Sequence, residues 1–204
     1  MGQKEPFEKM ASQNSECGGL LGVLCARRSV RQYQDRPIPP EVLKRILEAG
    51  RIAPSARNVQ EWRFVVVQKE ETRKRLVPAC AGQSFVAQAP CVLACCATLT
   101  DYVMRCGQLA YPIDVAIAID HMVLQATAEG IGSCWIGAFY EDQVKEILGI
   151  PQEVRVVEML TLGYPVEPLL PIPPDKKKRK PLVEIVCWET WSEKPAETDK
   201  PPSA

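Results

Sequence analysis

The chain carries no excess charge of either sign: 25 lysines and arginines stand against 25 aspartates and glutamates in 204 residues. Without a net field it has no means of gathering nucleic acid or acidic lipid over its whole surface, so any basic site must be local. No apolar run approaches the roughly 18–20 residues that cross a bilayer, and residues 1–16 lack the apolar core of a secretory signal. The expectation is a cytoplasmic protein with neither nucleic acid nor membrane as partner. Histidine is nearly missing: His121 stands alone. It lies in a strongly apolar helical stretch with no Ser/His/Asp or Cys/His arrangement around it, and reads as a core or interface residue rather than a base. Neither GxGxxG nor a P-loop occurs, which removes the Rossmann and NTPase readings. The nine cysteines include no CxxC pair, and Cys91, Cys95 and Cys96 fall on an expected strand whose alternation sends neighbours to opposite faces. They read as small buried hydrophobes, and no metal site is expected. Catalysis by side chains is poorly provided for, whereas catalysis by a bound cofactor does not need them.

What the chain does have suits one domain with a real core. Apolar residues from Leu20 to Leu24 start a short helix that ends at a cluster of arginines. Pro40 is well placed to open a helix over residues 41–52, with Val42, Leu43, Ile46, Leu47 and Ala49 at helical spacing. Residues 62–67 are β-branched and aromatic and read as a strand. A helix is expected over 70–81 and a second strand over 91–98. Residues 99–111 have no clear period and read as a loop or short lid. Residues 113–129 form the strongest helix, apolar around most of its girth and so central or at a subunit contact. After it, residues 133–137 lead into a loop, 141–148 form a helix stopped by Gly149 and Pro151, and 154–163 form a third strand. Residues 1–15 and 191–204 read as flexible arm and tail. The segment 165–190 holds many prolines, a basic run at 176–180 and one strand-like piece at 183–186. A tail of this kind is expected to wrap onto a second copy of the chain.

Two fragments carry chemistry. Arg27, Arg28, Ser29 and Arg31 crowd three guanidinium groups and a hydroxyl at a helix end. Helix C-termini do collect basic residues, but the spaced Arg31 lies beyond that explanation, and arginine is the preferred bidentate phosphate ligand. The second fragment, residues 54–62, is a loop of small and amide residues entering a strand, which a simple turn would also explain. Further on, a backbone amide in the Gly137-Ala138 turn can approach a planar ring closely. Together these suit a ligand with a phosphate at one end and a hydrogen-bonding ring at the other.

The ordered motifs resemble the nitroreductase family. Arg27-Arg28-Ser29-Val30-Arg31-x-Tyr33 is similar to its opening RRS-x-R-x-[FY]. Ala53-Pro54-Ser55-Ala56-Arg57-Asn58-x-Gln60-x-Trp62 resembles its APSa-x-N-x-QPW loop, with Glu61 where the family usually has proline. Asp114-x-Ala116-x-Ala118, Gly130 through Gly137, Leu162-Gly163-Tyr164-Pro165 and the basic stretch at Lys177 to Leu182 follow in order. The resemblance implies an α+β sandwich, a mainly antiparallel central sheet flanked by helices, with a C-terminal strand exchanged in a homodimer. It implies FMN at the dimer interface, NADH or NADPH as co-substrate, and no catalytic side chain. Arg27 and Arg179 would take the FMN phosphate, with Arg28, Ser29 and Lys177 or Lys178 assisting. Arg31 would stand at the N1/O2 edge of the flavin. Pro54, Ser55, Ala56, Gln60 and the partner's Asn58 would line the ring, and Ile136, Gly137 and Ala138 would face it with a backbone N–H at flavin N5. The activity implied is ping-pong transfer of hydride from NAD(P)H to a nitroaromatic, quinone or similar acceptor. A specialised flavoenzyme of the same fold, such as a dehalogenase or flavin-consuming enzyme, or a non-catalytic flavin/thiol sensor, stays open.

Overall fold

A computed structural model describes residues 19–192, and its contacts divide the chain after Pro171 into two units. In the first unit, helix α1 (Gly19–Ala26) buries Val23, Cys25 and Ala26. Helix α2 (Pro40–Arg51) starts on a proline in its first turn, where the missing N–H has no helical partner to lose. Strand β1 (Trp62–Val67) lies where its β-branched run predicts. Helix α3 (Glu70–Ala79) is followed by a single turn, α4 (Phe85–Gln88), too short to register as a periodic pattern. Strand β2 (Cys91–Ala97) is buried along its whole length.

Helix α5 (Ala110–Ala128) begins three residues before the expected start at 113. Pro112 reads as a barrier in the sequence, yet it sits in the first turn, where proline is tolerated. Strand β3 (Gly132–Ile136) leads into the loop expected after it, and β4 supplies its ladder. Helix α6 (Glu141–Leu148) ends on Gly149 in the left-handed region at φ 65, and β4 (Arg155–Gly163) follows. Residues 99–109 form a loop closed on itself by a bridge between Val103 and Leu109.

The four strands make one antiparallel sheet in the order β1-β2-β4-β3. Alternation along β2 feeds two cores. Val92, Ala94 and Cys96 pack with Leu76, Phe85 and Val144 on one face. Cys91, Leu93 and Cys95 pack with Ile46, Val115, Ile119 and Met122 on the other. A sheet covered on both faces has no room for an alternating polar residue, which is why β2 reads as a continuous apolar run. Two helical layers, α3/α4/α6 and α2/α5, thus sandwich the sheet.

The second unit, residues 172–192, contains two 3-10 turns, Pro174–Lys176 and Leu182–Glu184. The strand expected at 183–186 is therefore not formed within the single chain: apolar β-branched residues favour a ladder, but a strand exists only where another strand accepts its hydrogen bonds. The expected arm at 1–15 and most of the tail at 191–204 lie outside the described residues.

Candidate functional site

Leaving α1, the chain runs beside the start of β3. Ser29 bridges Ser133 in parallel, and the Val30 N–H donates to the Ser133 carbonyl at 2.8 Å. Gly132 permits the approach, since a Cβ there would lie 2.7 Å from Val30 Cγ2. Tyr33 fastens the segment: its buried hydroxyl donates to the Val30 carbonyl at 2.6 Å and meets Thr161 Oγ1 at 2.8 Å. Burial pushes the Tyr33 pKa well up, so the group stays a phenol and a donor.

The arginines divide their work. Arg28 donates to the carbonyls of Pro168 and, at 3.2 Å, Leu170, strapping down the chain after β4. Arg31 lies 6.0 Å from the centroid of the Phe85 ring. Nearby, the Cys134 thiol is pushed up by burial, an effect that Arg31 and a hydrogen bond with Ser29 partly offset. Arg27 stands half-buried at the helix end.

At the far end of β3, Gly137 and Ala138 are exposed while Ile136 is buried. Gln83 Nε2 donates to the Ala138 carbonyl at 3.3 Å, and the Tyr140 N–H to the Ala79 carbonyl at 2.8 Å, so this turn is pinned to α3 and the start of α4. Strand β3 acts as a ruler: at about 3.3 Å per residue, the four steps from Ser133 to Gly137 separate the arginine end from the turn by roughly 13 Å.

The loop at 54–60 is the most strained backbone in the first unit. Arg57, Asn58 and Gln60 have φ of 54, 56 and 56, each costing about 1 kcal/mol or more in a residue other than glycine. It is held from within and from α5. The Gln60 N–H donates to Ser55 Oγ at 3.0 Å, and Gln60 Nε2 to the Asn58 carbonyl at 3.2 Å. The Ala56 N–H donates to Asp114 Oδ2 at 2.9 Å. Pro54 is exposed beside them. Arg57 reaches over the Tyr102 ring at 5.7 Å, joining this loop to residues 99–109.

Glu61, the departure from the proline of the resemblance, is only 5% exposed. Its carbonyl accepts from the Thr98 N–H and hydroxyl, both at 2.9 Å. Burial, then the adjacent Asp114 carboxyl, raises its pKa. Asp114 is thus the loop's main anchor, legible in hindsight as an acid inside the most apolar helix. Tyr33 stood in the opening motif of the resemblance and Glu61 as a departure from it, but no local pattern gave the contacts either one makes.

The first unit therefore gathers Arg27, Arg28, Ser29 and Arg31 with Ile136, Gly137 and Ala138 along one strand, and seats Pro54, Ser55, Ala56, Asn58 and Gln60 on the start of α5. Lys177 and Arg179 belong to the second unit, where the Arg179 N–H donates to the Lys177 carbonyl and its Nη1 to the Lys178 carbonyl, both at 2.8 Å. Among the described residues no cluster of His, Cys, Asp or Glu could hold a metal ion, and no helix is long and apolar enough to cross a membrane.

A covered antiparallel sheet with an arginine-bearing segment bridged to its edge strand defines an α+β sandwich. The chain belongs to the nitroreductase family, whose profile matches residues 24–111 and 83–164. It is 32% identical over 193 residues to an NADH dehydrogenase of Thermus thermophilus, covering 79% of this chain and 92% of that one. It is 32% identical over 189 residues to the FMN reductase [NAD(P)H] of Bacillus subtilis, covering 84% and 74% of the two chains. The solved structure of the NADPH:FMN oxidoreductase from Vibrio harveyi complexed with NAD+ superposes with a TM-score of 0.74 at 26% identity, covering 85% of this chain and 76% of that one.

Proposed function

We propose that this protein is an FMN-dependent NAD(P)H oxidoreductase that works as a homodimer. The observation that carries the reading is the pairing of Ser29 and Val30 with Ser133, which sets guanidinium and hydroxyl donors at one end of β3 and an unobstructed glycine turn at the other. That donor set suits FMN: cations and a hydroxyl for phosphate and ribityl, and a Cβ-free amide for a planar ring. When bound, FMN would accept a hydride from NAD(P)H at N5 and pass two electrons to a nitroaromatic, quinone or similar acceptor in ping-pong order.

The chain's own residues supply position and charge. Arg27 and Ser29 would take the phosphate end, with Lys177 and Arg179 joining from the C-terminal segment of one chain or the other. Arg28, already committed to two carbonyls, would act by holding the chain after β4 in place. Arg31 would set a cation at the pyrimidine edge, where negative charge gathers on reduction, a charge-assisted contact worth about 1.5–3 kcal/mol. Ser55, Ala56 and Gln60 would line the ring, with the partner's Asn58. Gly137 would donate its N–H at N5 between Ile136 and Ala138.

A dimer is supported by an uncovered apolar strip on α5, where Ile113, Ile117 and His121 share a groove with Trp135, and Ile113 is 42% exposed. Trp188, Trp191 and Ile185 are likewise exposed in the C-terminal unit, apolar surface that a second chain would cover. Burial pushes Cys80 and Cys96 up to about 11 and Cys91 up to about 12, which leaves these three with little thiolate; a thiol-sensor role would fall to the exposed Cys106 or Cys187. The test is an absorbance spectrum of the purified protein followed by anaerobic NADH or NADPH. Flavin bands that bleach on addition support the reading; a protein that takes up no added FMN overturns it.

A further inference from the structure

Strand β4 carries an acid in an unusual place. The register of β4 against β2 shifts between Cys95 and Cys96: Glu158 stands opposite Cys95, and Val156 opposite Cys96, leaving Val157 unmatched. A bulge of this kind re-aims a side chain, and bulges gather beside functional sites. Here the Glu158 carboxyl comes up beneath the exit of β3. A Cβ on Gly137 would lie 3.7 Å from Oε1 and 3.9 Å from Oε2, so the carboxyl directly underlies the turn that carries the proposed N5 contact. Oε1 is fully buried and has no hydrogen-bond partner. A buried polar atom left unsatisfied costs about 1–3 kcal/mol and asks for an explanation. No other acid lies on β4: its buried side chains are the apolar Val156, Met159, Leu160 and Leu162 and one polar residue, Thr161, whose hydroxyl is paired with Tyr33 and the Cys134 carbonyl.

We infer that Glu158 is a positioning residue for the redox centre, setting the charge beneath Gly137 and taking up a proton when the flavin is reduced. The inference rests on the FMN reading above. Oxidised FMN, two electrons from NAD(P)H or dithionite and one proton give the anionic reduced flavin. If the Glu158 carboxylate binds one further proton to become the carboxylic acid, two protons enter for two electrons. The new negative charge on the ring favours that uptake, because like charges at close range disfavour the ionised acid. Burial already raises the Glu158 pKa, offset in part by the backbone N–H groups of Met159 and Ile136. The titratable groups around it are the Cys95 thiol on β2 and the Cys134 thiol on β3, both raised by burial. Among the described residues no ion pair reaches it.

The experiment is the midpoint potential of protein-bound FMN in the full-length protein, measured from about pH 5 to 9, for the wild type, Glu158→Gln and Glu158→Met. In the wild type, over the interval between the Glu158 pKa values with oxidised and reduced flavin, the slope should double. Each pH unit there lowers the reduction equilibrium of the wild type by a further factor of ten relative to either variant. Both variants should follow a single shallow line, and the redox-difference infrared spectrum should lose a protonated-carboxyl band. Parallel lines for all three proteins, with FMN bound, would reject Glu158 and leave the FMN reading standing. A wild type that binds no FMN overturns both. Glu158→Met covers the case in which Glu158→Gln misfolds, since an apolar chain of similar length relieves the unpaired oxygen.

Discussion

Gly132→Ala tests the contact on which the site depends. The added Cβ would meet Val30 Cγ2 at 2.7 Å, Cβ at 2.9 Å and Cγ1 at 3.0 Å. Valine is stiff at χ1 and cannot swing aside, so the backbone of Ser29 and Val30 must move off Ser133. Overpacking of this kind costs about 1–3 kcal/mol. In a protein of this length 1 kcal/mol shifts the melting temperature by roughly 2–4 °C, giving a loss of roughly 2–12 °C. The same displacement should weaken FMN binding, because it moves the arginine segment relative to Gly137. Thermal unfolding by circular dichroism and FMN titration by fluorescence read the two effects. Val30→Ala alone should cost about 2 kcal/mol from the cavity it leaves. The double variant should cost less than the sum of the single variants by about 1 kcal/mol. Relief stays partial, since the 2.9 Å contact to Val30 Cβ remains. A Gly132→Ala protein within about 0.5 kcal/mol of wild type, with unchanged FMN affinity, would refute the close approach as the device that seats the segment.

Glu61 holds its proton to higher pH in the folded protein than in the unfolded chain, because burial raises its pKa. Its contribution is therefore full below the unfolded value of about 4.3 and is lost as pH rises through the folded value. Glu61→Gln should flatten the decline of the urea midpoint above about pH 4, and an unchanged pH slope would count against a strained acid there. Arg27→Ala combined with Arg179→Ala should release FMN from a still-folded protein, checked by flavin absorbance after gel filtration; stoichiometric retention would sink the phosphate assignment. Truncation after Pro181 should turn a dimer into monomer or aggregate by light scattering, and an intact dimer would exclude the exchange of the C-terminal segment.

The sequence determined the elements whose reasons are local. The 3.6-residue period at Leu43 and Ile46, the β-branched run at 62–67 and the stop at Gly149 each act within a few residues, and the structure has them there. The arginine segment and the amide loop stood out in the sequence as residue patterns, and the structure bridges the first to Ser133 and ties the second to Asp114. What only the tertiary structure decided are the pairings between distant residues. β3 is a strand because β4 and Ser29 supply its ladder. Asp114 became the anchor of a loop 58 residues away in sequence. Arg28 went to backbone carbonyls 140 and 142 residues away rather than to a free site. Glu158 came beneath Gly137 only through a bulge that no local pattern announces. Local periodicity reports which face a residue shows; which partner waits on that face is set by loop closures whose free energy no short window of sequence contains.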